Sequence, residues 1–298
     1  MAGDDEHPQT AEGPEAKRSR PDRRPLPSAW QPLTWRGVAA FSAARLNRLL
    51  IAQTIVALIV VGTVLWFLDT GWFPAIRETI ARLPATGGIE NGQLLSPHAS
   101  REPLFENRLL TFAINLDTTH NPNAGGDLRI EFRRESWAIC SMFGCWSWNY
   151  PGGQVIPLNQ PDLQSLWGAW ETMIYLWIGL AVWIGLFVSW FLLATLYSPM
   201  LRVYAFFKDC DLNLAGSWKL AGAALLPGAL LVSAALVLYG LDVLNLFSFL
   251  LIWLLHFFVA WIYLFISPRR LPTATDAVPS VRRNPFGTPP KRSVNPFT

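Results

Sequence analysis

The residues whose types and spacing best suit chemistry are two cysteines in the run CSMFGC, Cys140 and Cys145. In an oxidising compartment such a pair closes a small loop, with Gly144 available for the turn. Two reduced, buried thiols are the alternative. A metal or redox-active pair is weaker, because no second Cys or His pair stands at ligand spacing and His98 and His120 lie far upstream. The third cysteine, Cys210, is expected as a thiol on the opposite side. One imidazole, His256, falls inside a long apolar block. An ionisable group at that depth is a candidate functional site, although a neutral His bonded to a neighbouring helix serves packing equally well. Ser189 and Ser233 are candidate partners for it, and a Ser with a His is the minimum of an intramembrane hydrolase. Neither serine stands in a nucleophile elbow or beside an oxyanion pattern. No Walker loop, dinucleotide glycine pattern or His-Glu-x-x-His is present, so no catalytic, cofactor-binding or metal residue is assigned and no cofactor is expected.

Those residues must be held by unusual elements. Of 298 residues, 51% are hydrophobic and only 15% charged, which is too apolar for an ordinary soluble domain of this length. A hydrocarbon core of about 30 Å needs about 20 helical residues. Four blocks meet that length without a Lys, Arg, Asp or Glu: Leu49–Leu68, Met173–Leu196, Leu220–Leu241 and Leu246–Ile266. Barrel strands alternate and are shorter, so helices are expected. The first block starts too late, and is too long, for a cleaved secretory signal. The lipid bilayer is thus the first expected partner.

Basic residues are retained on the cytoplasmic side. Arg36, Arg45 and Arg48 precede the first block, Arg202, Lys208 and Lys219 connect the second to the third, and Arg269 and Arg270 follow the fourth. The connection at Asp242 and Asn245 has none. Both termini are therefore expected in the cytoplasm. Arg77 and Arg82 open the outer segment, which is long enough to cross regardless of charge. Trp66, Trp72, Trp167, Trp170, Tyr263 and Phe265 flank block ends, as interfacial rings do.

The expected layout is an α-helical integral membrane protein, four transmembrane helices with a small extracytoplasmic β-rich (α+β) domain between the first two. Residues 1–33 form a disordered cytoplasmic tail too polar to fold. Its cluster Lys17, Arg18, Arg20, Arg23, Arg24 shares the tail with acidic residues, which favours an orientation signal over nucleic-acid binding. Residues 34–48 form an amphipathic juxtamembrane segment suited to the inner leaflet. Residues 72–169 are the outer domain: a short helix FPAIRETIARL, an Asn91-Gly92 hairpin turn, then three to five antiparallel strands drawn from Leu109–Leu116, Asp127–Ile139 and the Trp146/Trp148 alternation. A cytoplasmic loop, 197–219, links the second and third spans. The tail 267–298 is proline-rich and carries Asn-Pro-Phe at Asn284–Phe286 and Asn295–Phe297, short repeats of a kind that dock soluble partners. In the third block Ala224/Gly228 and Ala229/Ser233 are small-x-x-x-small pairs that allow close helix packing within the chain or with a second copy, and Pro227 adds a kink.

The phrases WRGVAAFSAARLNRLL, FPAIRETIARLPATGGIENGQLL, FAINLDTT and GSWKLAGAALLPGALL, in this order along 34–268, resemble an uncharacterised family of bacterial multi-span inner-membrane proteins, distantly similar to the Yip family. That resemblance implies an inner-membrane protein with an extracytoplasmic β-rich insert and no assigned activity. The insert departs from the Yip pattern, so the vesicle-traffic role of Yip proteins is not carried over. The expected role is a non-enzymatic envelope scaffold, assembly or signalling component, with protein partners at the outer domain and the tails. An oligomeric transport or channel component with a polar path near His256 is the rival.

Overall fold

The computed structural model of this chain describes residues 30–96, 103–115, 125–208, 210 and 212–271. The tail segments 1–29 and 272–298, with the basic cluster and the Asn-Pro-Phe repeats, lie outside the described residues, as do His98, His120 and Asn121-Pro122.

Among the described residues four helices are long and apolar enough to cross a membrane: Leu46–Arg82, Gln160–Phe207, Leu214–Gly240 and Leu246–Arg270. Short polar side chains start several elements by accepting the first-turn N–H groups that a helix leaves unsatisfied. Thr34 accepts from Gly37 N–H at 3.0 Å to open α1 (Trp35–Phe41). Asn159 accepts from Asp162 N–H at 3.0 Å to open α4 (Gln160–Phe207). Asn213 opens α5 (Leu214–Ala224) through Gly216 N–H at 2.7 Å, and Asn245 opens α7 (Leu246–Ile266) through Ser248 N–H at 2.8 Å.

The helices exceed the expected blocks. From α2 (Leu46–Phe67) the chain passes through a π-helical turn, Leu68–Trp72, into α3 (Phe73–Arg82), and stops before Pro84. The 48 residues of α4 span about 72 Å. Its outward side chains Leu176, Trp177, Leu180, Ile184, Val188 and Phe191 are exposed.

At the centre, α5 and α6 (Leu226–Gly240) meet at Leu225. Pro227 has no N–H to give and its ring crowds the carbonyl of Ala223, so the helix bends there. This pair is the most enclosed of the four: 61% of its apolar window is buried, against 6% for α4. The small residues lie in the packing. Ala224 is fully buried, Ser233 is buried, and Ala229 lines the same core. A Cβ added at Gly228 would sit 3.0 Å from the His256 carbonyl oxygen, so glycine permits the α6–α7 approach. Within 34–48, Val38, Ala39, Ala40 and Phe41 are buried in the bundle core, where Tyr263 of α7 stacks on Trp35 at 4.5 Å and donates to the Leu33 carbonyl.

The region between α3 and α4 folds as two sheets rather than one antiparallel set of three to five strands. Strands β1 (Gly88–Glu90) and β2 (Gln93–Leu95) form a hairpin on Asn91 and Gly92, both at positive φ (50° and 79°), as a tight primed turn requires. With β8 (Ile156–Pro157) they give the order β2-β1-β8. The larger sheet has the order β3-β4-β5-β6-β7: Phe105–Glu106, Leu110–Asn115, Leu128–Arg133, Ser136–Ser141 and Gly144–Asn149. The alternating stretch 127–139 breaks at Arg134-Glu135 into β5 and β6, and β4 pairs with β5 in parallel. One face, with Leu110, Phe112, Ile114, Leu128, Ile130, Phe132 and Trp137, packs on a core shared with Phe67, Ala75, Tyr239, Leu246 and Phe249 at the helix ends.

Replacing Gly228 with Leu should lower stability by about 1–3 kcal/mol, read as a fall in melting temperature of the detergent-purified protein, with Gly228→Ala losing less. Equal melting temperatures for all three would remove the close α6–α7 contact.

Candidate functional site

The polar groups of the described residues gather where the β region meets the helix ends. Arg108, in the turn before β4, is the centre of this junction. Its Nε lies 2.6 Å from Asp242 Oδ1, its guanidinium donates to the carbonyls of Leu244 (3.0 Å) and Tyr239, and its cation sits 4.9 Å from the centre of the Tyr239 ring. The last carbonyls of a helix have no partner within it. Here an arginine from a distant turn meets one at the end of α6, where the helix dipole also favours a cation. The Tyr239 hydroxyl donates to Asp127 Oδ2 at 2.7 Å, and Asp127 N–H donates to the Arg108 carbonyl at 2.8 Å. Asp242 at φ 65° turns the chain from α6 into α7.

A second junction ties the π-helical turn and α3 to α4. Tyr175 donates to Asp69 Oδ1 at 2.6 Å, and Arg77 pairs with Glu171 and stands 3.9 Å from Asp69. A third polar group lies on the other face of the large sheet. Glu131, fully buried, sits between Arg129 and Arg133, each 2.8 Å away. These three alternate along β5 with Leu128, Ile130 and Phe132. A buried carboxylate needs such company, since removing one partner of a buried pair costs several kcal/mol. Tyr150 closes this end by donating to the Arg133 carbonyl at 3.1 Å, and burial pushes its phenol up to about 12.

Cys140 and Cys145 face each other across β6 and β7 and are joined as a disulfide. Beyond them Met142 and Phe143 form the hairpin tip, with Gly144 at φ 112°. Trp137 and Trp148 stack across the same strands at 4.8 Å. Every residue of β7 is exposed.

The candidates in the apolar helices are not assembled into a reactive group. His256 Nδ1 donates to the Trp253 carbonyl of its own helix, while Ser189 donates to Leu186 O and Ser233 to Ala229 O. None of these bonds links the imidazole to either serine. The Cys210 thiol donates to the carbonyls of Lys208 and Pro268. Among the described residues no group of three or more His, Cys, Asp or Glu is placed to hold a metal ion. Arg108, Tyr239 and Asp127 are the functional-site residues the sequence reading passes over. Asp242 enters it only as a turn without basic neighbours. The one local clue is Arg108 itself, a charge between Asn107 and the apolar start of β4.

Comparison with family models, with curated proteins and with solved structures finds no match to this chain. The functional reading therefore rests on its own residues.

Two outcomes follow from these junctions. Arg108→Ala should open the β4 and α6–α7 turns by about 2 kcal/mol, or roughly thirtyfold faster amide exchange there, with exchange at the α1–α5 end unchanged. For Tyr150 the folded phenol holds its proton above the unfolded value of 10, so its share of stability is complete below pH 10 and is lost between pH 10 and about 12. Alkaline unfolding curves of Tyr150→Phe should be flatter over that window than those of the parent; parallel curves would contradict the burial of this phenol.

Proposed function

We propose that this chain is an integral membrane protein of four spans, with both termini in the cytoplasm and the β region outside, acting as a non-enzymatic scaffold or signalling component of the cell envelope. The observation that carries this reading is the distribution of Lys and Arg over the short connections at the two ends of the bundle. Arg36, Arg45, Arg48, Arg202, Lys208, Lys219, Arg269 and Arg270 belong to the elements that meet at the α1 end. There Lys219 donates to Ala44 O at 2.5 Å and Arg269 donates to the Tyr204 hydroxyl. Segment 72–169 carries basic residues too, among them Arg77, Arg82, Arg108, Arg129, Arg133 and Arg134, but long segments cross regardless of charge, whereas the short turn 241–245 has no Lys or Arg. Short connections that are basic at one end and without Lys or Arg at the other are what retention of basic loops in the cytoplasm produces.

Apolar side chains directed outward from α4 and α7 support lipid as their surroundings. So extended an exposed apolar surface is rare on a soluble monomer. The scaffold role is supported by where ionic groups go: Arg108 with Asp242 and Arg77 with Glu171 fasten the outer domain to the helices. The end of that domain farthest from the α6–α7 turn, with Glu90, Gln93, Arg134 and Glu135, is polar and exposed, and offers a surface for a soluble envelope partner. A bacterial inner membrane is the setting that the sequence resemblance implies.

Single cysteines test the arrangement in a Cys210→Ser background. In intact cells a membrane-impermeant maleimide should label Val155→Cys, and Phe207→Cys only after permeabilisation. The reverse pattern, or recovery of the protein in the soluble fraction, would falsify the topology. Cross-linking in intact membranes that yields only self-contacts would count against a scaffold.

A further inference from the structure

We propose that the disulfide-closed β6–β7 hairpin is a membrane anchor in its own right, with Met142, Phe143 and Trp146 seated in the headgroup region of the outer leaflet. This rests on the four-span reading above.

Strand register places the hairpin. Leu128 of β5 pairs with Ser141 of β6, and Ser141 pairs with Gly144 of β7. The tip residues Met142 and Phe143 therefore project from the same end of the sheet as Asp127, the residue before Leu128. Asp127 is hydrogen-bonded to Tyr239 at the end of α6, and the neighbouring Arg108 holds the α6–α7 turn. The tip is two strands away from that junction, about 10 Å at the usual strand spacing. It thus stands beside the helix ends, at the level where the apolar helices emerge.

Face parity points the same way. Trp146 pairs with Ile139, which pairs with Ile130; Trp148 pairs with Trp137, which pairs with Phe132. All lie on the sheet face whose other members pack on Phe67, Tyr239 and Phe249. That face is covered by protein over β4 and β5 and continues uncovered onto β7. Met142, Phe143, Trp146 and Trp148 are 53%, 67%, 54% and 47% exposed.

Chemistry selects lipid as the occupant. The hairpin SWAICSMFGCWSWN, residues 136–149, carries no charged residue, whereas the preceding DLRIEFRRE is dominated by them. Inserting it into an interface desolvates no ion. Indole rings, apolar with one polar N–H, favour the headgroup boundary. The Cys140–Cys145 bond fixes the two-residue tip, so little ordering entropy opposes insertion.

The test places the photo-cross-linker p-benzoylphenylalanine at Phe143 in the full chain in native membranes. Phe191, on the exposed side of α4, and Glu90, at the far end of the domain, are parallel positions. Irradiation followed by intact-mass analysis should give phospholipid adducts at Phe143 and Phe191, with a yield several-fold above that at Glu90. An adduct at Phe143 with a second copy or another protein, or a lipid yield no higher than at Glu90 while Phe191 still reacts with lipid, overturns the anchor alone. Absence of lipid adducts at Phe191 as well overturns the four-span reading. The same intact masses report whether the disulfide is kept in the variant.

Discussion

Over the central stretches of the four long helices no side chain carries a formal charge, and this constraint governs where everything else in the molecule is placed. With no ionic partner available along the helices, they are held by shape: small residues, ring contacts and backbone bonds closed within each helix. Among the described residues the bonds of charged side chains lie at the two ends of the bundle or within the β region, and the two ends differ in kind. At one end Lys219 and Arg269 bond to a carbonyl and a hydroxyl. At the other, carboxylates and guanidiniums pair directly, as in Arg108 with Asp242 and Arg77 with Glu171.

Shape also explains why the third apolar helix is central. A helix enclosed on most sides needs a surface that neighbours can approach, and Gly222, Ala224 and Gly228 provide it. A Cβ at Gly222 would meet Gln53, Leu49 and Ala194, from α2 and α4, at 3.3–3.9 Å. The bend at Pro227 turns α6 away from the line of α5, so one chain segment serves two sets of neighbours. α5 packs chiefly against α4 and α1, and α6 chiefly against α7 and α2, with α5 also touching α7 and α2.

Length and composition make the four apolar helices legible, and turn chemistry makes Asn91-Gly92 legible, because both signals are local. The extent of α4 is not, since the expected block ends where charge and aromatic content change, whereas the helix runs on from the Asn159 cap to Phe207. That cap was readable: Asn159 precedes Pro161 and Asp162, a standard helix opening. The parallel pairing of β4 with β5 was not, because alternation assigns a residue to a face but says nothing of the neighbouring strand. For the same reason alternation along β5 gave no hint that its charged face is the more enclosed one, with Arg129 and Glu131 buried and Leu128 and Ile130 only partly so. Arg108 reads as a solvated loop residue until the fold supplies carbonyl partners more than a hundred positions away. The disulfide candidates, by contrast, were close in sequence, and the register of one hairpin suffices to bring them opposite each other.

The junction at Arg108 has a mechanical consequence. A domain joined to a helix bundle only by its two chain connections swings freely; this one is also pinned at the α6–α7 turn, a point remote in sequence from both. Rotating it as a body breaks the Arg108 contacts with Asp242 and two carbonyls together with the Tyr239–Asp127 bond, and it uncovers the apolar face shared with Phe67 and Phe249. Because these interactions are made by one face and one turn, they are lost together and not one by one. The β region is therefore fastened to the helices at the α6–α7 turn as well as through its two chain connections, by contacts to Asp242 and Tyr239 at the end of the central helix.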